Sequence, residues 1–183
     1  MKYYLRKLIE WLGFKECLDY ISIVGAGTLV ANFIFQRVFR IDAAFPYMKH
    51  FTSRMSNGKK IKIIGDNREK IKLTRQHFAT AGGCFFNGAN GIEIGEGTIF
   101  SQNVVISSTG HDFQDISKGT ENSPIKIGKD VWIGANTVIM PGIVIADDCI
   151  VGAGSIVTKS FTEQGCVIAG APAKVLKKKG GEL

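Results

Sequence analysis

In the second half of the chain, an aliphatic residue returns at every sixth position. A six-residue period fits neither an α-helix, whose period is about 3.6 residues, nor a flat strand, whose side chains alternate. It fits a chain that turns a corner every six residues and places one β-branched side chain inside on each flat. Three flats make one triangular coil, and stacked coils make a parallel β-helix. The six positions are Ile127, Ile133, Ile139, Ile145, Val151 and Val157.

The same register assigns the corners of the coil and locates one insertion. Two residues before each inward aliphatic, the side chain is mostly small or β-branched, as a crowded corner requires. A weaker copy of the repeat lies upstream, at Ile94, Phe100 and Ile106. Between Ile106 and Ile127 there are 21 steps, which six does not divide, so the sequence predicts an inserted loop over about 108–124. The predicted corner residues are Ile125, Val131, Thr137, Ile143, Cys149 and Ser155.

The pattern upstream of the repeat is helical. Met1–Phe14 has apolar residues on one helical face, and Tyr20–Gln36 carries no charge, so we predict a helical segment over 1–50. The uncharged run falls short of the ~20 apolar residues that span a bilayer. Two interpretations stay open: the helices pack on the coil or on a partner subunit, or they lie in a membrane interface. Beyond them, alternating aliphatics predict two strands around Asp66–Asn67, one with Ile61 and Ile63 and one with Ile71 and Leu73.

Charge is distributed unevenly along the chain. The net charge is +7, but residues 1–80 carry 15 Lys and Arg against 6 acidic residues, a balance of +9. Residues 81–183 carry 8 against 10, a balance of −2. The repeat therefore offers no basic groove for a nucleic acid. The basic N-terminal part suits contact with anionic lipid or an acidic glycan, or it has no specific partner.

The cysteines and histidines argue against a metal site. The four cysteines form no Cys-x-x-Cys pair, and the repeat region holds one histidine, so no zinc-site spacing is available. We expect no metal cofactor. The absence of a disulfide framework is typical of a reduced, cytoplasmic protein.

The predicted loop holds the residue best suited to catalysis. His111 lies in the insertion, and its imidazole is the natural base for taking a proton from a hydroxyl or an amine. The alternative is an exposed loop histidine without a role. Three carboxylates, on Asp112, Asp115 and Glu121, are candidates to orient the ring, and the sequence does not choose among them.

An ordered series of motifs resembles the hexapeptide-repeat acyltransferases, in the branch of galactoside and maltose O-acetyltransferases and of capsule and exopolysaccharide O-acetyltransferases. The resemblance covers roughly residues 61–179. It implies that the parallel β-helix is left-handed, a hand that the repeat alone does not give. The motifs are Ile92–Gly95, Ser107–His111, Val131–Asn136, Pro141–Gly142, Val151–Lys159 and Ala169–Lys174.

The resemblance also implies roles for single residues. His111 matches the base that deprotonates the acceptor, and the backbone N–H of Ala135 matches the donor to the thioester oxygen. Trp132 matches an aromatic residue beside the acceptor, although it also suits packing on the coil. An asparagine expected near the reacting carbonyl is either Asn87 or Asn90. The positions that match coenzyme contacts are Ala135, Ala153, Thr158, Lys159, Lys174 and Lys177.

The function implied is acetyl transfer from acetyl-CoA to a sugar hydroxyl, and the expected acceptor is a surface polysaccharide or its precursor. The family's C₃ homotrimer, with each site shared by two subunits, is the implied assembly. Two other functions stay open: a xenobiotic or amine acetyltransferase, and a non-catalytic β-helix scaffold. We expect a cytoplasmic enzyme, with peripheral membrane contact through the N-terminal segment at the inner face of the membrane. The expected divisions are 1–50, the β-helix over 61–169 and a basic tail over 170–183.

Overall fold

The computed structural model describes residues 7, 21–121 and 123–178. Apart from residue 7, the amphipathic helix predicted over Met1–Phe14 lies outside the described residues. Among the described residues, no helix is long and apolar enough to cross a membrane. The helices are α1, Ile21–Val24; α2, Ala26–Phe33, which continues as a π-helix over Ile34–Val38; a 3₁₀ turn, Gly58–Lys60; and α3, Arg68–Thr80.

Fourteen short strands follow or alternate with these helices in the described part of the chain. They are β1, Arg54–Ser56; β2, Ile61–Ile64; β3, Phe85–Asn87; β4, Ile92–Gly95; β5, Ile99–Phe100; β6, Val105–Ser107; β7, Ile125–Ile127; β8, Trp132–Ile133; β9, Val138–Ile139; β10, Val144–Ile145; β11, Ile150–Val151; β12, Ile156–Val157; β13, Cys166–Gly170; and β14, Ala173–Lys178.

The strands form three sheets that are the three sides of a prism. Sheet A has the order β1-β3-β6-β9-β12, sheet B the order β10-β7-β4-β2, and sheet C the order β14-β13-β11-β8-β5. From β4 to β12, each strand lies in a different sheet from the strand before it, and pairing within a sheet is parallel. This is the parallel β-helix that the six-residue period predicts.

Register and burial agree with the predicted positions. Ile127 pairs with Ile145, and Ile133 pairs with Val151, which puts residues 18 apart above one another in consecutive coils. All six predicted inward residues and all six predicted corner residues are buried. Two polar corners are satisfied by the backbone: Thr137 Oγ1 donates to Gly134 O at 2.8 Å, and Ser155 Oγ donates to Gly152 O at 2.5 Å. The hydroxyls therefore stay inside the prism at little cost.

The second strand predicted near Asp66–Asn67 is wrong, because Ile71 and Leu73 belong to helix α3. Asn67 starts this helix: its Oδ1 accepts from the N–H groups of Glu69 and Lys70 at 3.1 and 3.2 Å. Such a side-chain cap satisfies donors that a helix leaves unpaired, and it favours the helix over a strand.

Helix α3 packs on the first coils through aromatic rings. The Phe78 ring centroid lies 5.0 Å from that of Phe45, 5.5 Å from that of Phe86 and 4.9 Å from that of Phe100. All four rings are buried. The edge-to-face packing of these rings anchors the segment between β2 and β3 to the interior of the prism.

The two ends of the coil differ from the simple repeat. β1, Arg54–Ser56, lies ahead of residue 61 and extends sheet A by pairing with β3. At the other end, the stretch over 170–183 that the sequence suggests to be a tail contains strand β14. It turns back from β13 at Gly170 and pairs with β13 antiparallel, which places Lys174 opposite Ala169 and Lys177 opposite Val167.

The stacked interior predicts a large cost for truncating one inward residue. Ile139 is fully buried between Ile106 and Val157 in sheet A. We expect Ile139→Ala to lower the free energy of unfolding by about 2–5 kcal/mol, because a cavity opens between two coils. Ile64→Ala, at a side chain that is 47% exposed, is the matched control and should change it by about 0.5 kcal/mol or less. Urea unfolding of the two variants measures both changes. Equal losses of free energy of unfolding would contradict the strand register that places Ile139 in the interior.

Candidate active site

The insertion between β6 and β7 is tied at its base. Asn90 Nδ2 donates to Ser108 O at 2.8 Å and to Thr120 O at 2.9 Å, so one amide joins the two arms of the loop. Between the arms, Thr120 N donates to Gly110 O, and Gly110 N donates to Thr120 Oγ1, both at 3.0 Å. The residue that follows, His111, is therefore held at a fixed point of the prism surface.

The His111 ring is oriented by the backbone of its own loop. Its Nδ1 lies 2.8 Å from Ile116 O, and the residue is exposed. A carbonyl oxygen only accepts, so Nδ1 carries the proton. In the neutral ring Nε2 is then left with a free lone pair, the form that a general base needs.

None of the three candidate carboxylates takes this orienting position. Asp112 Oδ1 accepts from the N–H groups of Gln114 and Asp115, at 2.7 and 3.0 Å, and so shapes the turn. The pKa of Asp115 is lowered by the Ser117 hydroxyl, which donates to it at 2.6 Å, and further by Lys118. These carboxylates hold the loop that presents the carbonyl. The group that orients the His111 ring is thus the backbone carbonyl of Ile116, which the sequence cannot reveal because every residue has a carbonyl.

The two candidate asparagines have different surroundings. Asn90 Nδ2 donates both of its hydrogens to carbonyl groups at the base of the loop, as described above. Asn87 Oδ1 accepts from Ala89 N at 3.2 Å and from Asn57 Nδ2 at 3.5 Å, and its Nδ2 has no acceptor among the described residues. Asn87 also pairs with Ser107 in sheet A, at the strand end where the insertion departs. Asn87 is therefore the one with an amide left for a ligand.

Ala135 and Ala153 stack at one corner of the prism. Ala135 O accepts from Gly154 N at 2.8 Å, which joins the corner after β8 to the same corner one coil later. The backbones are close here: a Cβ at Gly134 would lie 2.5 Å from Ala153 N. Small residues therefore keep this edge of the prism thin.

Ala135 also borders an open groove of about 370 Å³. His77, at the end of helix α3, contributes an imidazole whose Nδ1 lies 3.0 Å from Phe100 O. Burial lowers the pKa of His77, so its neutral form is favoured at physiological pH. The sequence gives no sign of this histidine's place, because helix α3 comes from far upstream in the chain. The lining is His77, Thr80, Ala81, Phe100, Ser101, Gln102 and Ala135.

The other predicted contacts lie on the outside of the prism. Trp132 is 50% exposed on sheet C, between Ile99 and Ile150 in register, so its ring is not part of the interior. Thr158 and Lys159 follow β12, and the Lys159 Nζ lies 5.7 Å from the centroid of the Phe161 ring. Strand β14, the edge of sheet C, presents Lys174 and Lys177.

One chain does not bring these residues together. His111 lies between a strand of sheet A and a strand of sheet B. Lys159 lies at the same edge, because it follows β12 of sheet A and Phe161 then bridges to Ile145 of sheet B. Ala135 and Ala153 lie between sheets C and A. These two corners are different edges of the prism, separated by the whole width of sheet A. A base on one edge meets an amide on the other edge only across a contact between two chains.

Comparisons with known proteins bear on this site. The family described as "Bacterial transferase hexapeptide (six repeats)" matches residues 124–159. The galactoside O-acetyltransferase of Escherichia coli K12 is 41% identical over 90 residues, which are 48% of this chain and 44% of that protein. A putative lipopolysaccharide biosynthesis O-acetyl transferase of the same organism is 47% identical over 58 residues, 32% of this chain and 29% of that protein. The chain thus spans less than half the length of these curated relatives.

A solved structure extends the comparison to most of the coil. A galactoside acetyltransferase in complex with coenzyme A is 25% identical, with a TM-score of 0.57 over 81% of this chain and 77% of that one. Together with the relatives, it confirms the resemblance to the hexapeptide-repeat acyltransferases and the left-handed parallel β-helix with an N-terminal helical segment.

The loop anchor generates a prediction that separates the two asparagines. Asn90→Ala removes two hydrogen bonds that join the arms, so we expect trypsin to cleave after Lys118 about tenfold faster or more. Asn87→Ala is the control and should leave the cleavage rate unchanged, because its side chain does not hold the arms. Gel analysis of a time course measures both rates. Equal acceleration in the two variants would show that Asn90 does not anchor the loop.

Proposed function

We propose that this chain, which carries the bacterial transferase hexapeptide repeat, transfers an acetyl group from acetyl-CoA to a sugar hydroxyl. The observation that carries the proposal is the oriented, exposed imidazole of His111 on the loop that interrupts the coil. Relatives named as O-acetyltransferases, and a similar fold solved with coenzyme A, support the reaction class and the co-substrate.

The proposed reaction is a direct transfer. His111 Nε2 accepts the proton of the acceptor hydroxyl while the hydroxyl oxygen attacks the thioester carbonyl carbon. The carbonyl oxygen becomes an oxyanion, which the Ala135 N–H stabilises; such a donor is worth about 2.7–4 kcal/mol. Collapse of the tetrahedral intermediate breaks the C–S bond. The imidazolium returns its proton to the departing thiolate, which leaves as free coenzyme A.

The coenzyme would extend along the thin edge of the prism. Small size at Ala153 lets the pantetheine arm approach the backbone. Thr158 and Lys159 lie on the same edge as His111, so those of the neighbouring subunit would contact its distal part. Lys174 and Lys177 on β14 supply positive charge for its phosphates, as point charges rather than bidentate forks. The proposed chemistry requires no metal.

The acceptor proposed is a surface polysaccharide or its precursor, for an enzyme that works in the cytoplasm at the inner face of the membrane. Similarity to the putative lipopolysaccharide O-acetyl transferase supports a polysaccharide. Trp132, half exposed on sheet C, offers a ring face to a sugar. The amine or xenobiotic acceptor and the non-catalytic scaffold are the outcomes that an acceptor screen would reveal instead.

The proposed assembly is a homotrimer with the site at the contact between subunits. The outward side of sheet B carries a row of charged residues, Lys62, Glu93 and Lys126 in register, which ends at Val144. Sheets A and C carry apolar residues outward, and they share the edge that holds Ala135. Two different apolar faces on each chain suit a closed ring of heterologous contacts. The apolar outward residues of sheet A are Phe85, Val105, Val138 and Ile156, with Arg54 beside Phe85, and those of sheet C are Ile99, Trp132, Ile150 and Val167, with Lys177 beside Val167.

Removing the proposed base tests the reaction. We expect His111→Ala to lower the rate of transfer from labelled acetyl-CoA to a saccharide acceptor by about 10²–10⁴, because proton removal is lost. Coenzyme A affinity should not change, since the ring does not hold the coenzyme. His50→Ala is the control, as its imidazole hydrogen-bonds Thr52 in the upstream segment.

The acceptor panel holds glycans, lipid-linked saccharides, an amine and chloramphenicol. Transfer only to the amine or to chloramphenicol would show that the acceptor is not a sugar. If His111→Ala keeps more than about a tenth of wild-type activity, His111 is not the base.

Mixed oligomers test the shared site. We expect His111→Ala chains and Ala153→Trp chains each to be inactive, the second because the indole blocks the coenzyme edge. Refolded together in equal amounts, they should recover about a quarter of wild-type activity, since a site between neighbours takes each half at random. Activity assays and light scattering of the mixture give the result. No recovery from a mixture that has formed trimers would place the whole site in one chain.

A further inference from the structure

The helix over residues 26–38 buries polar side chains and exposes apolar ones. Its inward face holds Leu29, Asn32 and Gln36, spaced three and four residues apart, and all three are buried. A surface helix normally turns its apolar face inward and its polar face to water. In this reversed arrangement the buried amides need hydrogen-bond partners, and the exposed apolar side chains suggest a binding partner on the outer side.

The compensation on the inside is a set of backbone hydrogen bonds. Asn32 Nδ2 donates to Ala79 O at 3.1 Å, and its Oδ1 accepts from Phe51 N at 2.8 Å. Gln36 Nε2 donates to Tyr47 O at 2.8 Å, and its Oε1 accepts from Lys49 N at 3.2 Å. The two amides thus satisfy backbone groups of the segment beneath the helix, and they fix which face points inward.

The outward side carries exposed apolar side chains, which we call the outer stripe. Val30, Ile34 and Val38 recur four positions apart on the helix, Ile23 lies seven positions earlier in α1, and Phe39 directly follows Val38. Several are more than half exposed. The outer stripe comprises Ile23, Val30, Ile34, Val38 and Phe39, exposed by 60, 58, 36, 60 and 63%.

The charged residues within the segment that carries the outer stripe are both arginines, and Asp42, just after it, is paired with Lys49 and Arg54. Between residues 20 and 41 the chain has no Asp or Glu, and Arg37 and Arg40 stand exposed at the end of the stripe. Residues 1–80 as a whole carry the +9 balance. An apolar helical face flanked by arginines matches the interface of an anionic bilayer, where apolar side chains enter the acyl boundary and cations meet the headgroups.

We propose that the outer stripe docks this protein on an anionic membrane surface, with the helix lying in the interface plane. This inference deepens the proposed function, on which it rests for the benefit of docking: a lipid-linked saccharide would meet the enzyme at the membrane. The docking itself requires only the stripe and the arginines. Vesicle binding and acetyl transfer to a soluble acceptor are therefore read separately.

The test is flotation of the full-length protein with vesicles of phosphatidylglycerol and phosphatidylcholine at low salt. Wild type should float, and pure phosphatidylcholine or high salt should reduce binding. The triple variant Val30→Ser, Val38→Ser, Phe39→Ser should bind about a hundredfold more weakly. Arg37→Gln with Arg40→Gln should weaken binding about fivefold for each arginine. Ile64→Ser, an exposed aliphatic on sheet B, is the matched control and should bind like wild type.

Light scattering and acetyl transfer to a soluble saccharide are measured on the same variants. A triple variant that loses vesicles but keeps its oligomeric state and its soluble-acceptor activity supports the proposal. The proposal fails if wild type ignores anionic vesicles, as when residues 1–20 cover the stripe. It also fails if the triple variant binds like the control, or if it dissociates the oligomer, because the stripe is then a subunit contact. If the wild-type protein floats with anionic vesicles but transfers no acetyl group, the proposed function fails and the docking proposal stands.

Discussion

The structure depends on one constraint, which is that every coil must return its inward side chains to the positions of the coil before. Between successive coils this return takes 18 residues, as from Ile127 to Ile145. From Ile94 to Ile127 it takes 33, yet the two residues still pair in sheet B. The 15 extra residues therefore leave the prism at a corner instead of shifting the register. A shift would expose the inward aliphatics, so packing forces the insertion outward and puts His111 on the surface.

The same constraint divides the candidate site. The loop leaves at the corner between sheets A and B, whereas the close backbone approach at Ala135 and Ala153 belongs to the corner between sheets C and A. Neither corner can move toward the other without breaking sheet A. Core residues of the inner coils are packed between coils on both sides, and this close packing fixes the distance between the half-sites in one chain. The proposed reaction therefore needs two chains, one for each half-site.

The coil and the position of its insertion were predictable because an aliphatic residue at every sixth position marks each flat of the coil, and an interruption of that spacing marks the insertion. Helix α3 was not, since the spacing of Ile71 and Leu73 suits a strand while the decisive Asn67 cap and Phe78 contacts are a matter of three-dimensional fit. The partner of His111 was missed for a similar reason: a backbone carbonyl has no signature in the sequence. The inverted helix also escaped prediction, because Asn32 and Gln36 look like solvent-facing residues until their long-range backbone partners are known.

The central claim is that coenzyme and base meet across two chains, and a crystal structure of the protein with coenzyme A bound tests it most directly. The account predicts that the thiol sulfur lies beside the Ala135 N–H of one subunit and within about 4 Å of the His111 imidazole of its neighbour. At that distance an acceptor oxygen can hydrogen-bond the imidazole and attack the thioester. A coenzyme whose sulfur lies beside His111 and Ala135 of the same chain, or far from both, would contradict it.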